Sequence, residues 1–306
     1  MSELCVCVPA RNEACRLPVL LDALARQSWD SRFTVAIALN NTDDRSREAI
    51  AGACSHHAGK LDVEVVDVQF PQAQAHAGSA RRLAMDTGLS LLHDRENGIL
   101  VSTDADTRPP VAWLANIVCA IARGVEIVGG RIDIDPLEPL ACGVAARRSA
   151  WQRYWRAVRA IEDEIDPVPW DPAPRHGDHT GASLAITASL YKACGGVPPI
   201  SSGEDVALVR AALACGGRLA HPEDVFTLVS PRDDGRAPGG MADEMRMLAV
   251  EAAEGATASA PCFDQWRQRA RWRRALRALP DGSARIALEE PLLPPMAHDM
   301  MLEIAA

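Results

Sequence analysis

No apolar stretch of the 306-residue sequence reaches about 18 residues, so it offers no membrane-spanning helix. It has no CxxC. Its nine cysteines are an odd count lodged mostly in apolar runs, which reads as reduced, buried small side chains rather than a disulfide or zinc framework. Met1-Ser2-Glu3 leads straight into an apolar run, without a charged n-region and long h-region. A cytoplasmic location is therefore expected. Positive charge is not in excess: Lys plus Arg is 32 and Asp plus Glu is 41, so 32 − 41 gives −9. That balance excludes a general nucleic-acid binder, and an anionic ligand would need a local cation. Aromatics are 4%, yet seven of them are Trp, with Trp151, Trp155 and Trp170 in one window. The 48% hydrophobic and 24% charged fractions are ordinary for a globular chain and exclude disorder or a collagen-like fibre.

Apolar runs alternate with helical spacing. Leu4 to Val8 stops at Pro9, and Leu17, Leu20, Leu21 and Leu24 follow at i, i+3, i+4, i+7. The unit recurs at Phe33 to Leu39, Leu61 to Val68 and Gly98 to Val101, each followed by a helical stretch. Four β-α units in series predict a parallel, right-handed α/β sheet whose ligands bind beyond the carboxyl ends of the strands. Beyond Ile134 the rhythm changes to a Trp- and Arg-rich helix over about 144–162, an acidic Pro-rich loop, and two helices closed by Gly195 and Gly216. The linker Pro231 to Gly240 precedes a helical tail.

Several motifs are missing. No GxGxxG follows the first strand, which argues against a dinucleotide oxidoreductase. Gly52 to Lys60 has the wrong spacing for a phosphate loop, and Leu61 replaces its Ser or Thr. Gly177 to Gly181 carries His179 where a nucleophile elbow needs Ser. His176, Asp178 and His179 lack an HExxH or a Cys partner, so a loop reading outweighs a metal cluster.

Asp104-x-Asp106 directly follows an apolar strand. Two carboxylates so placed can share Mg²⁺ or Mn²⁺, which bridges carboxylates to substrate phosphates; otherwise they cap the turn before Pro109-Pro110. Asp133 and Asp135 alternate with Ile132 and Ile134, so they read as the solvated face of a strand. Ser202-Gly203-Glu204-Asp205 opens a helix. Ser202 and Asp205 can form a capping box, and a carboxylate at a helix start also suits a general base. Arg81-Arg82 can supply the cation for an anionic ligand, with Arg131 and Arg232 as further candidates. Trp151 and Trp155, at i, i+4, read as a helix face against the core or as an acceptor platform.

Together these strings resemble the family 2 glycosyltransferases of the GT-A fold. VCVPARNE (6–13) resembles the first strand and nucleotide-contact loop, VAIALNNTDDRS (35–46) the second strand and base-binding turn, and ILVSTDADTRPPVAWL (99–114) the DxD segment. GASLAITASLYKACGG (181–196) and SSGEDVALVRAALACGG (201–217) are similar to the segment before the acceptor site and the ED helix. The resemblance implies an α/β GT-A fold, a largely parallel central sheet flanked by helices, with a helical C-terminal extension. It implies a transferase domain over 1–235, divided into a nucleotide-sugar half (1–131) and an acceptor half (132–235), then the extension 236–306. Pro9, Ala10 and Glu13 would line the nucleotide pocket, Arg81 would sit near nucleotide or phosphate, and Asp104 would meet ribose or metal. Asp106 would hold Mg²⁺ or Mn²⁺, and Asp205, with Glu204 beside it, would be the base. The second-strand turn departs from the family: Asn40 stands where Asp is common, and an amide can still hydrogen-bond a base edge.

The implied reaction moves a sugar from a nucleotide-diphosphate donor to an alcohol or lipid-linked acceptor, with inversion by in-line attack. A metal-dependent nucleotidyltransferase would be expected to carry a Gly-rich phosphate loop near the first strand. A catalytically degenerate nucleotide-sugar-binding member is the other alternative. The tail segment 266–279 holds Arg267, Arg269, Arg271, Arg273, Arg274 and Arg277 and no acid. It reads as a basic helix for peripheral contact at the inner face of a membrane, or as a helix packing on the acidic domain.

Overall fold

Leu4, Cys5, Val6, Cys7 and Val8 are each at most 1% exposed, the mark of a strand covered on both faces. In the computed structural model, which describes residues 3–29, 32–235 and 239–304, they form the first of twelve strands. The described elements are β1 (Leu4–Ala10), α1 (Leu17–Ala25), β2 (Thr34–Asn40), α2 (Ser46–His56), β3 (Asp62–Val68), α3 (Ala77–Leu91), β4 (Ile99–Ser102) and β5 (Thr107–Arg108). There follow α4 (Trp113–Ala122), β6 (Ile127–Gly129), β7 (Arg131–Ile134), α5 (Cys142–Ile165), β8 (Leu184–Thr187), α6 (Ala188–Ala193) and α7 (Glu204–Ala214). The chain ends with β9 (Leu219–Ala220), β10 (Phe226–Val229), α8 (Met241–Glu254), β11 (Ser259–Ala260), α9 (Phe263–Arg277), α10 (Gly282–Glu289) and β12 (Met300–Met301). Of the expected linker, residues 236–238 lie outside the described residues.

The central sheet has the order β3-β2-β1-β4-β8-β6-β9. β3, β2, β1 and β4 run parallel, as the β-α rhythm predicts. β8 is inserted antiparallel between β4 and β6. Helices α1, α2 and α4 cover one face through Leu17, Leu20, Ile50, Trp113 and Ile117. Helices α3, α6 and α7 cover the other through Ala84, Met85, Tyr191 and Leu208. Edge strand β3 carries Asp62, Glu64 and Asp67, charges that discourage further pairing.

The chain moves from β1 out to β3 and then returns to the other side of β1 with β4. The switch point therefore lies between β1 and β4, and their carboxyl ends open onto the ligand crevice of an open α/β sheet. A small second sheet, β5-β10-β7, stands beside it. The apolar stretch over Val125 to Ile134 divides into β6 and β7 at Gly130, where a Cβ would lie 1.9 Å from Ser183 Oγ. Asp133 pairs with Arg131 and Asp135 with Arg108, so both acids on β7 and just after it serve as ion-pair partners.

Gly195 and Gly216 follow α6 and α7 with φ of 86° and 87°, the left-handed geometry expected of them. The start of α7 differs from expectation. Gly203, at φ 73°, is its N-cap and no side chain caps the helix, so the Ser202/Asp205 capping box does not form.

The C-terminal helices pack on the preceding domain, α8 and α9 against α5 and α10 against α7. Trp151 and Trp155 stack at 6.4 Å, and Trp155 meets Trp266 of α9 edge-on, so the pair faces the aromatic cluster around Tyr154 and Phe263. Arg273 reaches Glu162 at 2.5 Å, Arg277 reaches Asp166 at 2.8 Å and Arg269 reaches Glu290 at 3.5 Å. These arginines of the basic segment are thus engaged by carboxylates of the protein, as a packed helix requires. Arg273→Met should loosen α9 from α5. Glu162 keeps Arg159 and Arg175, so the expected cost is about 1–2 kcal/mol rather than the larger figure for a wholly orphaned charge. Thermal unfolding and faster proteolysis between α8 and α9 are the readouts; unchanged cleavage would assign the docking to the aromatic cluster and the Arg277–Asp166 pair.

Candidate active site

The turn after β1 is knitted to the turn after β2. Asn12 donates to Asp43 at 2.6 Å and accepts from the Asp43 N–H at 2.9 Å. The Glu13 N–H donates to Ser46 Oγ, and the Ala14 N–H to Asp44. Asn12 and Asn41 both adopt left-handed φ, 52° and 48°, which Asn tolerates better than most side chains. Pro9 is half-buried and Ala10 buried at this end of β1. Asn40, the last residue of β2, is 2% exposed and donates to the His76 carbonyl at 3.1 Å. Its Oδ1 is buried with no hydrogen-bond partner among the described residues.

The turn after β4 presents Asp104 and Asp106. Asp106 lies 3.0 Å from Arg232 Nε, and the same guanidinium donates to Glu13 at 2.6 and 3.0 Å. Burial, reinforced by the charge of Asp104, pushes the Asp106 carboxyl up to about 6, against the pull of Arg232. A cation shared by Asp104 and Asp106 would relieve that repulsion, and both offer the hard oxygen donors that Mg²⁺ or Mn²⁺ prefers. Among the described residues no three His, Cys, Asp or Glu side chains converge on a metal position. Two carboxylates therefore suit an ion whose remaining ligands are water and substrate phosphates.

Arg81, on α3, joins the two sides of the crevice. Its Nε donates to Glu204 at 2.9 Å, its Nη1 to Ser102 Oγ at 2.8 Å and the Gly181 carbonyl at 3.0 Å, and its Nη2 to Asp104 at 2.9 Å. Burial opposes its charge, but Asp104, Glu204 and Asp205 outweigh that and raise its pKa further. Arg81 is 5% exposed and four of its five N–H donors are engaged within the protein. Its Nη2 bond orients Asp104 at the end of β4. Gly181 permits the arrangement, because a Cβ there would lie 2.2 Å from Arg81 Cζ.

The two acids of α7 differ in their surroundings. Glu204 is 5% exposed and ion-paired with Arg81 at 2.9 Å. Asp205 is partly exposed, accepting from the Gly181 N–H through Oδ2 and from the Val206 N–H through Oδ1, both at 2.7 Å. Each oxygen keeps a lone pair for a further donor. The contacts of Arg81 and Asp205 with Gly181 are what motif reading missed; each joins residues far apart in sequence.

The histidines of the 176–179 loop form an internal network. His176 accepts from the Asp178 N–H and lies 3.2 Å from the Pro222 carbonyl. His179 meets His221 at 3.2 Å, and His221 meets Asp171 at 2.8 Å. Burial, aided by His221, lowers His176 to about 3 and His179 to about 4, so both are neutral near pH 7. Arg131 is likewise engaged, by Asp133 and Glu223.

The chain resembles known proteins in sequence and in fold. The profile of Glycosyl transferase family 2 matches residues 5–166, more than half of the chain. No curated protein sequence matches it. Its fold is similar to that of the mannosyltransferase PcManGT from Pyrobaculum calidifontis in complex with GDP-Man and Mn²⁺, at 20% identity and a TM-score of 0.56, over 96% of this chain and 76% of that one. S. aureus TarS 1-349 in complex with UDP-GlcNAc aligns with a TM-score of 0.56 at 14% identity, over 90% and 73% of the two chains. Glucosyl-3-phosphoglycerate synthase from Mycobacterium tuberculosis aligns with a TM-score of 0.50 at 14% identity, over 84% and 82%. The family profile over residues 5–166, on a mostly parallel central sheet flanked by helices, identifies the chain as a glycosyltransferase of family 2 with the GT-A fold.

Proposed function

We propose that the protein transfers a sugar from a nucleoside-diphosphate donor to a hydroxyl acceptor, that Asp205 is the base, and that turnover needs a divalent cation. The Arg81 junction carries this reading. One guanidinium binds Asp104 on the donor side and Glu204 on the acceptor side, so the carboxylates of both are held in one frame. Preorganisation of that kind lowers the reorganisation needed at reaction.

Asp205 would accept the acceptor hydroxyl's proton. Its two backbone N–H bonds fix the carboxylate, and the remaining lone pairs can meet an alcohol. Attack from the side opposite the departing diphosphate inverts the anomeric centre. Asp104 and Asp106 would hold the cation, which when bound neutralises charge on the diphosphate. Pro9, Ala10, Glu13 and Asn40, at or just beyond the ends of β1 and β2, would line the nucleotide position. The unpartnered Asn40 Oδ1 supports base recognition, since an N–H of the base would satisfy it. GDP-Man in one fold relative and UDP-GlcNAc in another support a nucleotide-sugar donor. Residues 1–235 would form the transferase domain and 236–306 a helical extension held on it by α5 and α7. No described helix is long and apolar enough to cross a membrane.

Release of nucleoside diphosphate from UDP- and GDP-linked sugars tests the reading. Chelation should lower it at least tenfold, with recovery on adding Mn²⁺ or Mg²⁺. Metal-dependent donor binding with no release would support a degenerate binding member instead.

A further inference from the structure

Arg232 lies three residues beyond the end of β10 and reaches across the switch point. Its Nη atoms hold Glu13, from the β1 turn, at 2.6 and 3.0 Å, while its Nε holds Asp106, from the β4 turn, at 3.0 Å. Asp234 adds a looser contact at 3.8 Å. The Arg232 side chain is 23% exposed and that of Glu13 only 7%, so this is no solvated surface pair. Arg16, paired with Glu138, is near enough for its charge to be felt by both Arg232 and Asp106 without touching either. The guanidinium thus holds a carboxylate expected to ligate a divalent cation. Two positive charges at one carboxylate oxygen repel strongly inside a half-buried site.

We propose that Arg232 is the resident counterion of the donor site: it neutralises Asp106 and Glu13 while no divalent cation is bound, and it yields Asp106 when one binds. This rests on the divalent-cation reading above. Because Glu13 takes both Nη atoms, Arg232 can release Asp106 while keeping its hold on the β1 turn. The exchange keeps Asp106 from being left as a buried, uncompensated charge beside Asp104. It also makes cation binding without donor weaker than the two carboxylates alone would give.

Titration of the full-length protein with Mn²⁺, followed through the paramagnetic resonance of free Mn²⁺ and without sugar donor, tests the exchange. Thermal scans first establish that each variant is folded. Arg232→Gln should bind Mn²⁺ about tenfold tighter than the parent protein, since a unit charge 3.0 Å from Asp106 has gone. Arg16→Gln, which removes a nearby charge that does not touch Asp106, should stay within about threefold. Asp106→Asn should remove the binding in either background. If Arg232→Gln does not fold, Arg232→Lys, which cannot bridge both carboxylates, should still gain about threefold. Unchanged or weaker binding in the Arg232 variants, with Asp106-dependent binding intact, overturns the counterion role alone. Equal gains for Arg16→Gln and Arg232→Gln also overturn it, because the effect would then be a general field. Failure of the parent protein and Arg232→Gln to bind Mn²⁺ even with nucleoside diphosphate present overturns both this role and the metal reading.

Discussion

Arg81→Met should be the most damaging substitution to the fold. Removing the guanidinium leaves Glu204, 5% exposed, without its ion-pair partner and takes a donor from Asp104, Ser102 and the Gly181 carbonyl. Breaking a buried pair on one side costs about 3–5 kcal/mol, because an uncompensated charge stays behind. For a chain of this length that lowers the melting temperature by on the order of 10 °C. The control is the double variant with Glu204→Gln. If burial of an unpaired carboxylate is the cause, neutralising Glu204 returns about 1–3 kcal/mol of the loss, and the two changes are far from additive. Additive losses would mean that Arg81 matters only as packing between α3 and the Gly181 loop. Activity should fall in both variants, since Asp104 loses the group that orients it.

Local pattern made the N-terminal β-α units legible. Leu17, Leu20, Leu21 and Leu24 bury the expected face of α1, and the carboxyl ends of β1, β2 and β4 carry the polar turns that the sheet topology makes into a crevice. The insertion of β8 between β4 and β6 was not legible, because strand order depends on contacts between distant segments rather than on period. The same limit hid the electrostatics. Arg81 meets Glu204 across 123 positions and Arg232 meets Glu13 across 219, so nothing in either local string distinguishes an arginine for phosphate from one for carboxylate. At α7 the misreading was chemical. Ser202-x-x-Asp205 fits a capping box, yet Gly203 supplies the left-handed cap, and Asp205 accepts both the Gly181 N–H and the first-turn Val206 N–H of its own helix.

Asp205→Asn should lower turnover by about 10²–10⁴, the range for loss of a positioned general base. It should leave the affinity for nucleoside diphosphate within about twofold, because the groups assigned to nucleotide and cation lie on the β1, β2 and β4 turns. The amide has one oxygen where Asp205 has two, and both oxygens now accept a backbone N–H at 2.7 Å. One of those donors is left facing an NH₂ group, a stability cost of about 1–3 kcal/mol. A rate loss of 10²–10⁴ is about 3–5 kcal/mol in activation free energy, so a fold defect of that size does not account for it while the variant remains folded at the assay temperature. If the carboxylate only holds the Gly181 loop, turnover falls only as far as stability does. Turnover at the parent level would return Asp205 to a purely structural role at the start of α7 and leave the base of this transferase to be sought elsewhere in the crevice.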